Sequence, residues 1–182
     1  MELALEEYSS WLDKAVKKSL RPTVGKGGKL LAETRRNLDE ARRFFEELSK
    51  KAEKDMATKR DPVSYRAARV IGHSAKEAAE TLGRIQLPGD VTWDSLKVAR
   101  DSLSSANRAL RESRSQAGKE LPGLYILDMR SYGGIVDRVS RDSERLTHFL
   151  EGEGSGLQKA RALEGLVSVI QQTRKEMADH EE

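Results

Sequence analysis

The sequence predicts an all-α protein, an antiparallel bundle of about six helices around a four-helix core that two tandem helical hairpins would supply. Three observations carry this. Charged residues make up 35% of the chain and aromatic residues 5%, the balance of amphipathic helices with ion-paired outer faces. Apolar residues recur at three- and four-residue steps along most of the sequence, the period of one helix face. Most Pro and Gly clusters fall between those stretches. A chain of 182 residues suits one domain, 1–182, divided into an N-terminal helix with a Gly-rich loop (1–28), a core bundle (29–150), a flexible linker (151–156) and a C-terminal helix (157–182).

The first predicted helix, residues 2–20, places Leu5, Tyr8, Leu12, Ala15 and Val16 in one stripe with Trp11 beside it. It is expected to end at Arg21-Pro22, because proline disfavours helical backbone in the residue before it. Val24 to Gly28 then reads as a flexible loop. The second, 29–58, alternates steps of three and four through Leu31, Thr34, Leu38, Ala41, Phe45, Leu48, Ala52 and Met56, a stripe that needs partner helices. The third starts at Asp61-Pro62, a capping acceptor followed by proline at the first helical position, and runs through Ala68, Ile71, Ala75, Ala78, Leu82 and Ile85. Its alanines let neighbouring backbone approach closely, which predicts a central position.

After the turn Leu87-Pro88-Gly89-Asp90, Thr92 should cap a fourth helix, 93–116, with Leu96, Ala99, Leu103, Ala106 and Leu110 inside. Pro122-Gly123 precedes a fifth, 124–150, with Ile135, Val139, Asp142, Leu146 and Phe149. Gly133-Gly134 should kink or split off its first turns, each glycine costing about 1 kcal/mol relative to alanine. Glu151 to Gly156 has linker composition, and a sixth helix, 157–178, carries Ala160, Leu163, Val167, Ile170 and Met177.

An offset of 65 residues lays the second helix on the fourth, pairing Leu31 with Leu96, Leu38 with Leu103, Ala41 with Ala106 and Phe45 with Leu110. An offset of 64 pairs Ile71 with Ile135, Leu82 with Leu146 and Ile85 with Phe149. The order is collinear, as a duplicated helical hairpin requires, although any two heptad-patterned helices match at their apolar positions.

The composition also bounds the chemistry. With no cysteine there is no disulfide, thiolate ligand or thiol nucleophile. The start lacks the basic and apolar regions of a signal peptide, and no apolar run approaches the roughly 18 residues of a membrane span, so the expected location is cytoplasmic with no integral membrane segment. His73 and Glu77, like Glu144 and His148, stand four residues apart, but their phase turns them outward and neither has Glu-x-x-His spacing, so no metal or cofactor is expected. Asp142 falls on an inner stripe and should be paired, with Arg138 one turn earlier. No second acid, histidine or nucleophile sits at a set distance from it, so no catalytic residue is expected and the chain reads as a non-enzyme.

Two stretches remain as candidate binding surfaces. Residues 1–69 carry 17 Lys/Arg against 12 Asp/Glu, whereas 70–182 carry 16 against 18. Lys26 and Lys29 lie in a Gly-rich loop expected to open onto a helix N-terminus, a setting that suits an anion. Arg36, Arg43, Lys50 and Lys54 share one stripe of the next helix, as a nucleic-acid-backbone surface would, although Asp39, Glu46 and Glu47 stand four residues before Arg43, Lys50 and Lys51 and would make it an ordinary solvated face. The densest apolar segment, Leu124, Tyr125, Ile126, Leu127 and Tyr132, reads either as a plug closing the bundle or as a place where a partner docks. The leading expectation is a scaffold or adaptor that binds protein, itself or another; the alternative is a nucleic-acid-backbone-binding protein or small nucleoprotein subunit.

Overall fold

A computed structural model describes residues 2–121 and 126–180 and contains five helices: α1 (Glu2–Thr58), α2 (Pro62–Gly83), α3 (Trp93–Glu120), α4 (Ile126–Glu151) and α5 (Ser155–His180). The all-α class stands, and the count is five because the first two expected helices are one. At 57 residues α1 is about 85 Å long. Pro22 lies inside it, exposed on the outer side. The contacts that hold the helix straddle the proline: Leu20 packs on Gly156, Lys26 pairs with Glu153 at 2.9 Å, and buried Gly27 lies under Val91 and Phe149. Gly27 is thus a place of close approach, where a Cβ would stand 2.6 Å from Val91 Cγ1.

The two expected caps form. The Asp61 carboxylate accepts from Ser64 N at 2.8 Å, and Thr92 and Ser95 exchange side-chain and backbone hydrogen bonds in a capping box. The C-terminal part of α1 runs antiparallel to α2, with Ala52 against Gly72 and Arg42 against Gly83. α3 and α4 form the second hairpin, with Ser104 and Ser143 hydroxyls 2.7 Å apart. Asn37 to Asp142 and Ser74 to Ser113 close the square as an up-down-up-down bundle. The core holds Leu31, Leu38, Phe45, Ala75, Leu82, Leu96, Leu103, Leu110, Val136, Val139, Leu146 and Leu150. Every apolar pair of the 65-residue offset is buried, one member in α1 and the other in α3.

α4 passes through Gly133-Gly134 without a break, and Gly133 lets the Arg114 guanidinium cross it. Residues 151–156 do not form a flexible linker. Gly152 N donates to His148 O at 2.9 Å and Gly154 N to Phe149 O at 2.6 Å, a tight turn in which Gly154 has no room for a side chain. α5 therefore continues in the direction of α4, past the end of the bundle, and packs antiparallel on the N-terminal third of its own α1. Gly156 meets Leu20 at one end of that contact and Arg174 reaches Glu6 at the other. The molecule is a four-helix body with a two-helix arm.

Candidate functional surfaces

The body carries two polar clusters, one buried and one at its surface. Asp142, 2% exposed, accepts from Asn37 Nδ2 through both carboxylate oxygens, at 3.1 and 3.2 Å. The arginine nearest it is Arg145, at 3.9 Å, while Arg138 pairs with Glu40 instead. The expected buried pair is thus mainly an amide–carboxylate pair. Burial raises the carboxyl above its ordinary range, against the opposing pull of Asn37 and Arg145. Asn37 is the partner that helix periodicity missed, because it lies beside the apolar stripe rather than on it.

The second cluster lines a cleft of about 380 Å³ between α2 and α3. The exposed His73 Nε2 lies 3.3 Å from Glu77 Oε1, Ser113 Oγ donates to Glu77 Oε2 at 3.3 Å, and Ser74 links Ser113 to buried Tyr132. Glutamate stands between serine and histidine, so the imidazole is not placed to take the serine proton, as nucleophile activation would need. Among the described residues no three His, Asp or Glu side chains converge as metal ligands, and no helix is long and apolar enough to cross a membrane.

Of the anticipated anion loop, nothing survives as such. Residues 21–29 are helical, so their N–H groups are engaged within α1, and Lys26 is tied to Glu153. Arg36, Arg43, Lys50 and Lys54 are exposed as expected. Glu46 pairs with Arg42 at 3.5 Å rather than with Lys50, and among the described residues none of those four cations has a carboxylate within 4.0 Å. Continuity of α1 adds Lys29 at the same spacing, so Lys29, Arg36, Arg43 and Lys50 form a row with steps of about 10 Å along the back of the body.

Leu124 and Tyr125 of the apolar segment lie outside the described residues, as do the side chains of Ile126 and Leu127. Tyr132 is not a docking residue: it is 1% exposed, edge-on to Phe45 with ring centroids 4.7 Å apart. Exposed apolar side chains gather on the arm instead. Leu12 and Val16 of α1 meet Ala160, Leu163 and Val167 of α5 along its seam. One flank of that seam is polar, with Ser9 and Asp13 opposite Gln171 and Arg174. Across the seam from it, in both helices, lie apolar residues. Tyr8 is 54% and Trp11 63% exposed on α1; Leu166, Val169 and Met177 are 53%, 61% and 59% exposed on α5. Because the polar flank is shared by the two helices, the apolar flank is shared too. Tyr8 had been expected inside; the seam takes Leu12 and Val16 and leaves it out.

Comparison with protein-family models, curated proteins and solved structures gives no match. The fold defines the class, an all-α up-down-up-down bundle carrying a helical-hairpin arm, and a bundle of this kind does not by itself fix an activity.

Proposed function

We propose that the chain is a non-enzymatic cytoplasmic scaffold that binds protein, itself or another, through the apolar flank of its arm. The observation that carries this reading is the shared flank of Tyr8, Trp11, Leu166, Val169 and Met177 on the two helices. A two-helix arm buries one stripe per helix; a second apolar stripe left in water is the mark of an interface. Trp11 and Tyr8 stack with ring centroids 6.1 Å apart, and large aromatics anchor interfaces more often than other side chains. The test is chemical cross-linking of the protein in cell extract, comparing the native chain with a Trp11→Glu/Leu166→Glu variant. Cross-linked species that vanish in the variant, with helicity unchanged, support the reading; a full set of unchanged cross-links overturns it.

A second reading rests on the row Lys29, Arg36, Arg43, Lys50 with Lys54, which among the described residues has no carboxylate within 4.0 Å and suits a nucleic-acid backbone. Its expected mark is micromolar or tighter affinity for DNA or RNA that falls steeply with salt, and that is lost when Arg36, Arg43, Lys50 and Lys54 are all replaced by Glu. Equal binding by that variant rejects the row as the site.

A further inference from the structure

We infer that the occupant of the arm's apolar flank is the arm of a second copy of this chain, lying antiparallel across it so that two helical hairpins close into a four-helix bundle between two outlying bodies. The inference rests on the reading of the arm as an interaction surface. Three features favour a second copy in this orientation.

The first is size. The arm is about 30 Å long and, with two helices about 10 Å apart, about 20 Å wide. Face-to-face pairing then buries about 1,200 Å² in total, the lower end of what stable specific interfaces bury. The second is charge. Along the rim of α1, Glu7 stands one turn before Trp11, and Lys14 and Lys18 follow it by one and two turns, all exposed. A two-fold axis near Trp11 brings each Trp11 onto its symmetry mate and Glu7 of each copy opposite Lys14 of the other; a two-fold interface must be self-complementary in this way.

The third feature selects the direction. On a straight helix positions seven apart drift by about 20° per step, so Lys29, which lies five full turns after Trp11, and Arg36, Arg43 and Lys50 after it all project within about 60° of the direction of Trp11. The face that is apolar on the arm is cationic on the body. Arms paired in parallel would press two cationic bodies together, whereas antiparallel arms send the bodies to opposite ends.

The absence of cysteine makes the test direct. Sedimentation of the full chain at high micromolar concentration should give twice the chain mass, and Trp11→Glu should return it to one. Trp11→Cys should form an oxidised cross-linked dimer, and a mixture of Glu7→Cys and Lys14→Cys chains should cross-link better than either alone. A native chain that stays monomeric overturns the second copy as occupant while leaving the arm open to another protein. A dimer indifferent to Trp11→Glu overturns both the pairing and the arm as the interaction surface. Preferential Glu7→Cys homodimers overturn the antiparallel arrangement.

Discussion

Pro22 offers the sharpest check on the architecture, because the loop expected from sequence and the helix seen in the structure predict opposite signs for one substitution. In a loop, proline stiffens the unfolded chain, and replacing it with alanine should destabilise by about 0.4–1 kcal/mol. Inside α1, Pro22 leaves the carbonyl of Lys18 without its backbone partner and sets its ring against that turn. Proline costs up to about 3 kcal/mol relative to alanine in a helix interior. The Pro22 side chain is exposed, so its replacement by alanine loses no packing. Pro22→Ala should therefore stabilise the protein by about 1–3 kcal/mol, the lower figure applying if the helix has already relaxed around the ring. With a urea slope of about 2 kcal/mol per molar, the midpoint moves up by about 0.5–1.5 M. The assay is urea unfolding followed by circular dichroism. A lowered midpoint would refute the continuous helix, and with it the seating of the arm on the body.

Two further outcomes follow from the interior. Since burial raises the Asp142 carboxyl above its ordinary 3.8, the native state holds that proton more tightly than the unfolded chain; the group favours folding at acidic pH and loses that contribution as pH rises through its folded value. Asp142→Asn, which keeps an acceptor for Asn37 Nδ2, should match or exceed native stability at neutral pH, with the difference shrinking toward pH 4; a variant that becomes progressively weaker as pH rises would contradict this. Gly27→Ala should destabilise by about 1–3 kcal/mol, because its Cβ would stand 2.6 Å from Val91 Cγ1, and Val91→Ala should recover most of the loss in a double-mutant cycle; additive effects would show that the contact is not the cause.

The sequence by itself determined the helical class, the caps at Asp61 and Thr92, and most core positions from Leu31 to Leu146, because these depend on local backbone chemistry and on a 3.6-residue period, though it did not place Ala67, Val70, Ala117 or Val136. It also placed Asp142 inside. Only the tertiary structure decided what the glycines and the proline do. Gly27, Gly133 and Gly154 read as flexibility or breaks in sequence, yet each is small because Val91, the Arg114 guanidinium or the Phe149 carbonyl lies against it. Those neighbours are distant in the chain or belong to a turn whose closure no propensity reveals. The same holds for the candidate surfaces. The cations from Arg36 to Lys54 were legible, since one helix face is set by spacing alone. The arm was not, because whether Leu12 or Tyr8 faces inward depends on where α5 lies, and packing, not periodicity, places α5.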